Sequence, residues 1–160
     1  MKTRRPGMPT AYGLQPVHGE NGLLPWTWAV EHLLGARNYW LVSVGKRGLP
    51  HAVPVWGIWM ESELLFSTGK SSRKALNLLR QPACIVHLES GDEVVILEGT
   101  AESLLDQGRL AGFVEQYEQK YRIRPEIDDV ETLTFCFQPS KGMGWREADF
   151  PSSATCWDFD

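Results

Sequence analysis

The sequence has few residues of the kinds that bind metal ions or cross-link secreted proteins. Its three cysteines, Cys84, Cys136 and Cys156, are far apart and none belongs to a C-x-x-C pair. This spacing indicates neither a disulfide framework nor a zinc site. The four histidines are His18, His32, His51 and His87. Because no two of them are spaced i, i+4 on a helix, we expect structural roles for them as a group and no metal site.

The chain also lacks a basic excess and a long apolar run. Its formal net charge of -4 over 160 residues argues against a nucleic-acid binder, since proteins that follow phosphate backbones carry clustered cations. No apolar run reaches the roughly 20 residues of a membrane-spanning helix. The cations of MKTRRPGMPTAYG are not followed by the apolar segment of a signal peptide. We therefore expect a cytoplasmic protein with neither nucleic acid nor membrane as a partner.

Two common catalytic motifs are missing. A P-loop has a glycine five residues before its Gly-Lys pair, and Leu64 occupies that position ahead of Gly69 and Lys70. A nucleoside triphosphatase is therefore disfavoured. No G-x-S-x-G turn is present, so a serine hydrolase has little support. The residues alone identify no catalytic side chain.

What the chain does contain is typical of one α+β domain spanning residues 1–160. Residues 1–25 are rich in Pro and Gly and lack a hydrophobic period, which predicts an irregular arm lying over the surface or over a partner subunit. Three segments have helical periodicity: WTWAVEHLLGAR, SSRKALNLLRQ and LLDQGRLAGFVEQYEQKY. Strand-like segments rich in Val, Ile and aromatics are NYWLVSV, PHAVPVWGIWM, ELLFST, ACIVHLE, EVVILEGTAE, TLTFCFQ and ATCWDF, with MGWRE a weaker one. About six strands with inserted helices predict a small antiparallel barrel.

The stretch FSTGKSSRKALNL has the composition of an anion site. Ser71 and Ser72 precede a helix whose first turn carries Arg73 and Lys74. Cations in a first turn oppose the helix dipole, so a bound anion is a better account of them than solvent exposure alone. The alternative is an ordinary amphipathic helix with a serine N-cap.

Together, the words NYWLVSV, GLPHAVPVWGIWM, LLFSTGKSSRKALNL and VVILEGTAE resemble the pyridoxamine 5'-phosphate oxidase-like family over residues 36–159. The resemblance implies a mainly β (α+β) fold, a six-stranded antiparallel split β-barrel with flanking helices. It also implies a homodimer that binds FMN in a cleft between subunits. The deazaflavin F420 is the alternative cofactor, with haem less favoured.

The resemblance further implies which residues meet the cofactor. The flavin would be lined by His51, Val53, Pro54, Val55 and Trp56. Ser67 and Thr68 would close the following strand, and Ser71, Ser72, Arg73 and Lys74 would hold the phosphate. Trp145 and Trp157 would line the cleft or fill a dimer interface. His51 is either a proton donor near the reduced cofactor or the cap of a turn.

Two departures from the family pattern bear on activity. Val94 or a neighbour stands where the true oxidases carry a glutamine, and the chain ends CWDFD where they carry arginines for the substrate phosphate. We therefore expect a flavin-dependent oxidoreductase acting on another small molecule, and no pyridoxamine 5'-phosphate oxidase activity. The alternatives are a non-catalytic carrier or sensor of flavin or haem, and an interaction domain without cofactor.

Overall fold

The structure, a computed structural model, describes residues 1–17 and 22–159; His18 and Asp160 lie outside them. Within these residues the chain forms four α-helices and nine strands. The helices are α1 (Trp26–Gly35), α2 (Arg73–Arg80), α3 (Gln107–Tyr121) and α4 (Phe150–Ser153). The strands are β1 (Lys2–Arg4), β2 (Tyr39–Val44), β3 (Pro50–Val55), β4 (Ile58–Met60), β5 (Glu63–Gly69), β6 (Ala83–His87), β7 (Glu93–Ser103), β8 (Thr132–Arg146) and β9 (Thr155–Asp158). No described helix is both long and apolar enough to cross a membrane.

The strands form one antiparallel sheet in the order β1-β9-β8-β7-β6-β2-β3. The long strand β8 joins its two parts: residues 132–137 pair with β5 and residues 141–144 pair with β9, while β7 runs along its other edge. Strand β4 pairs with β5. Among the described residues β3 pairs with β2 alone, so the sheet stays open at that edge. The predicted split-barrel fold is confirmed.

A bulge bends the sheet where β7 crosses β8. Glu98 faces Lys141 but Gly99 faces Pro139, which leaves Ser140 as the extra residue. A Cβ at Gly99 would lie 2.0 Å from the carbonyl oxygen of Gln138, so only glycine fits this approach. The bulge at Glu98 and Gly99 therefore changes the direction of both strands.

The strand count differs from the predicted six for local reasons. PHAVPVWGIWM divides into β3 and β4 at Gly57, where a Cβ would lie 2.8 Å from the Leu65 carbonyl oxygen. TLTFCFQ and MGWRE are instead two halves of the single strand β8. The arm is not wholly irregular, because Lys2–Arg4 pairs with β9. Arg4 Nε lies 2.7 Å from Asp158 Oδ2, which ties the start of the arm to its own chain.

Two apolar clusters fill the molecule. The larger lies between the sheet, α1 and α2 and includes Leu33, Phe66 and Leu78. The smaller lies under α3 and includes Leu110 and Phe113. The apolar face of α3 thus packs against the smaller cluster. All three cysteines are free thiols and buried.

Candidate anion and cofactor site

The site forms where the end of β5 meets the start of α2. Ser72 is the N-cap of α2, and its Oγ accepts a hydrogen bond from the Ala75 amide at 3.3 Å. Thr68 Oγ1 lies 3.1 Å from Ser72 Oγ. Ser67 Oγ lies 2.7 Å from Thr134 Oγ1 on β8. These hydroxyl contacts hold the turn between β5 and α2 in place.

Helix α2 is fixed against β2 by two further hydrogen bonds. Asn77 Nδ2 donates to Ser43 Oγ at 3.0 Å, and the Arg80 guanidinium donates to the Val44 carbonyl at 2.5 Å. The antiparallel register pairs Ser43 with His51 on β3. The first turn of α2 is thereby brought to the start of β3, although Arg73 follows His51 by 22 residues in the sequence.

Three predicted residues, His51, Arg73 and Lys74, are brought together in this way. Burial lowers the pKa of the His51 imidazole below its usual value, and the positive charges of Arg73 and Lys74 lower it further. His51 Nδ1 is buried and has no hydrogen-bond partner among the described residues. Burial and the electrostatic field of two cations therefore both favour the neutral form of the ring.

A concave pocket of about 470 Å³ adjoins this cluster. Its lining consists of Gly45, Lys46, Arg47, Leu49, Ser71, Arg73, Leu76, Asn77 and Arg80. Four of these side chains are cationic, and none of the described lining residues is acidic. A pocket with this charge is suited to an anionic ligand.

The remaining β3 residues lie along the open edge of the sheet. Val55 is buried in the larger core, Val53 is half-buried and Pro54 is exposed. Trp56 stacks on Tyr121 with ring centroids 4.6 Å apart and planes 5° apart, so one face of its ring is already covered. Trp59 is 4% exposed and belongs to the larger core.

The two C-terminal tryptophans do not join the cluster within one chain. Trp157 is fully buried, and its indole N–H donates to the Leu24 carbonyl at 3.2 Å, so it has no free face for a ligand. Its role in the cleft or the dimer interface stays a prediction, which this burial does not favour. Trp145 packs edge-on against Phe150. On β8, Trp145 lies 11 residues after Thr134, the residue that contacts Ser67 of the site. This separation is on the order of 30 Å along the strand, so Trp145 lies away from the cluster.

A second polar cluster, at the end of α3, was not predicted from sequence. Lys120 Nζ donates to Tyr39 Oη and to the Gly57 carbonyl, each at 3.1 Å. Burial, assisted by the charge of Arg37, lowers the pKa of Lys120 to about 8. Burial also raises the pKa of Tyr121 to about 12. No local pattern marks these residues, because they come from three separate segments.

Comparison with known proteins gives one family and several similar folds. The profile described as "Pyridoxamine 5'-phosphate oxidase" matches residues 29–140. A conserved hypothetical protein from Mycobacterium tuberculosis superposes with a TM-score of 0.68 at 19% identity, covering 82% of this chain and 90% of that chain. An F420 reductase gives 0.57 at 19% identity, with 70% and 94% covered. The haem storage protein HutZ from Vibrio cholerae gives 0.58 at 14% identity, with 69% and 87% covered. No curated protein matches the sequence significantly.

Proposed function

The chain belongs to the pyridoxamine 5'-phosphate oxidase family, and on that basis we propose that it is an oxidoreductase that uses a phosphorylated flavin, FMN or the deazaflavin F420. The observation that carries the proposal is the cluster of Arg73, Lys74 and His51 at the capped start of α2. FMN remains the first choice of cofactor. The similarity to an F420 reductase keeps the deazaflavin as the alternative.

The residues of the cluster fit a phosphate group. The first turn of α2 contains no acidic residue, and its free N–H groups and dipole favour negative charge. The two first-turn cations therefore lack a counter-charge from their own turn. A phosphate of charge close to -2 offers both cations a charge-assisted hydrogen bond. The buried, unpartnered Nδ1 of His51 is a further sign that a ligand belongs here.

The protein would supply binding and orientation, while the bound flavin would supply hydride transfer. Arg73, Lys74 and Ser71 would hold the phosphate. The half-buried Val53 and exposed Pro54 would present the open edge of β3 to the ring system. Trp56 would border the ring through the part of its indole that Tyr121 leaves uncovered. We assign no residue to proton transfer in this reaction.

We also propose that the protein is a homodimer. Across β3, β2 and β6 the sheet presents a stripe of apolar and aromatic side chains on its outer face. Trp40 lies opposite Pro54 on one side and His87 on the other, and its indole stacks on the His87 ring at 6.1 Å. Val42 continues the stripe next to Ile85. A second copy of the chain covering this stripe would bury it and bring two β3 edges near one interface.

The oligomeric state tests this part separately. Light scattering at micromolar concentration is expected to give twice the chain mass. Trp40→Glu should shift the mass toward one chain, whereas Leu105→Glu, which alters an exposed apolar residue between β7 and α3, should not. One chain mass for the wild-type protein would contradict the homodimer.

The cofactor proposal is tested by titrating the purified protein with FMN, F420 and haem and recording absorption spectra. Arg73→Ala combined with Lys74→Ala should weaken FMN binding at least tenfold, since one charge-assisted contact contributes about 1.5–3 kcal/mol. Riboflavin, which lacks the phosphate, should bind the variant and the wild type alike. The matched control is Arg122→Ala with Arg124→Ala, which removes the same charge from exposed positions after α3. Equal losses for FMN and riboflavin would contradict a phosphate site at α2.

Turnover distinguishes an enzyme from a carrier. An oxidoreductase reoxidises a reductant through its bound flavin, whereas a carrier or sensor binds FMN or haem without doing so. A protein that binds none of the three cofactors would contradict both functions.

A further inference from the structure

His51 holds a position in which its own chain offers no partner for one ring nitrogen. The strand register pairs it with Ser43, whose Oγ accepts its hydrogen bond from Asn77. The described neighbours therefore bond to one another and leave Nδ1 buried without a partner. Buried polar atoms are nearly always satisfied in folded proteins, so each exception calls for an explanation. The residue as a whole is only half-buried.

The charges around the ring favour its neutral form when no ligand is bound. The charged groups that act on His51 are Arg73 and Lys74 of α2, both cations, while β2 presents the uncharged Ser43. Burial disfavours the imidazolium ion, and the two cations disfavour it further. A dianion bound among these three side chains would reverse the sign of the field at the ring.

We propose that His51 is a third anion-binding side chain of this site and that its ring takes up one proton when a phosphate monoester binds. The proposal rests on the function proposed above and adds that phosphate binding is coupled to the uptake of a proton by His51. The proton comes from the solvent, the phosphate stays a dianion, and the neutral imidazole becomes an imidazolium that donates to a phosphate oxygen. Three cations then face the dianion.

Proton uptake makes binding depend on pH in a defined direction. In the free protein the pKa of His51 is lowered, and a bound dianion raises it. The affinity gained from His51 is therefore complete below the free-state pKa and is lost as the pH rises through the bound-state pKa. A change of one pKa unit between the two states corresponds to about a tenfold change in affinity. Relative to a variant that cannot titrate, the wild type should bind FMN more tightly at pH 6 than at pH 9.

The test compares wild type with His51→Gln, which keeps a polar side chain but cannot take up a proton. Calorimetric titration with FMN at pH 7.5, in two buffers of different ionisation enthalpy, measures the protons taken up. We expect net uptake by the wild type and a clear reduction in the variant. Taking the ratio of wild-type to variant affinity at each pH cancels the ionisation of the FMN phosphate itself. His32→Gln, which alters a half-buried histidine of α1 away from α2 and from the apolar stripe, is the matched control and should behave as the wild type does.

A second measurement does not depend on the variant or on FMN. The ring of His51 in the wild-type protein is titrated by NMR with and without phenyl phosphate, a monoester that lacks a flavin ring. A higher pKa for His51 in its presence supports the proposal even if no flavin binds and the proposed function fails. FMN binding without proton uptake, and an unmoved His51 titration, would overturn the proposal while leaving the flavin site intact.

Discussion

Replacing Lys120 by methionine should change how the free energy of unfolding depends on pH, while leaving the fold intact. The Lys120 ammonium lies over the ring of Tyr39 at 4.8 Å from its centroid and over that of Tyr121 at 5.2 Å. Burial, and to a lesser extent the nearby Arg37, lowers its pKa from 10.5 to about 8. Methionine keeps the length and the apolar contacts of the side chain and removes the charge.

The size and sign of the effect follow from proton linkage. Between pH 8 and 10.5 the unfolded chain holds the Lys120 proton and the folded chain has lost it, so stability rises with pH across this window. Each pKa unit corresponds to about 1.4 kcal/mol, which would give at most about 3.4 kcal/mol over the whole difference. Because the side chain is only half-buried, solvent screening reduces the expected gain to about 1–2 kcal/mol. Below pH 8 the cost of burying the charge is present in full.

The measurement is urea unfolding of wild type and Lys120→Met at half-unit steps from pH 7 to pH 9.5, where the onset of tyrosine ionisation in the unfolded chain is common to both proteins. The hydrogen bonds lost with the ammonium lower the stability of the variant by a similar amount at every pH. The difference between the two proteins should therefore grow by about 1 kcal/mol or more in favour of the wild type as the pH rises. Lys141→Met, at a partly exposed ion pair with Glu98, is the control and should give a constant difference. A constant difference for Lys120→Met would refute the reasoning.

Three further outcomes are expected. Gly99→Ala should destabilise the fold by about 2 kcal/mol or more in urea unfolding, because the new methyl group meets backbone at the bulge, whereas Gly69→Ala, with open space around its Cβ position, should cost less than about 1 kcal/mol. Thr155→Val should cost about 2 kcal/mol, since the buried hydroxyl accepts from one backbone amide and donates to one carbonyl, each at 2.8 Å, and Thr155→Ser should restore most of it. FMN-loaded protein should not form pyridoxal 5'-phosphate from pyridoxamine 5'-phosphate under air, because Lys141 and Arg146, the cations nearest the end of the chain in sequence, already pair with acidic side chains. Sustained turnover of about 1 per second would contradict this last expectation.

Local signals were sufficient where an element is defined by its own residues. Helix α1 begins directly after Pro25, and α3 begins after Asp106, whose side chain accepts from the Arg109 amide at 2.8 Å. Both helices end where the apolar period ends. The anion cluster is predictable for the same reason, because its hydroxyls and cations occupy consecutive positions around Ser72. The family resemblance added His51, which no local pattern connects to α2.

Features that depend on distant pairing could not be read locally. The arm residues Lys2–Arg4 have no strand pattern of their own and are ordered by pairing with β9. Strand β8 contains Pro139 and two glycines, and its sequence therefore predicts two strands with a break between them. It stays continuous because Gly99 on the neighbouring strand allows the bulge that absorbs the extra residue.

Aromatic residues were the least informative part of the sequence, for a physical reason. A tryptophan suits a core, a cofactor wall and an interface equally well, because in each case a large flat surface leaves water. Which of these positions a tryptophan takes depends on the residues that face its ring in the folded chain. Trp157 is buried because Gly142 and Gly144 of β8 leave space for its ring, where a Cβ would lie within about 3.1 Å of it. The same glycines that leave room for this ring also make the strand hard to recognise, so the burial of Trp157 and the missed continuity of β8 have a common cause.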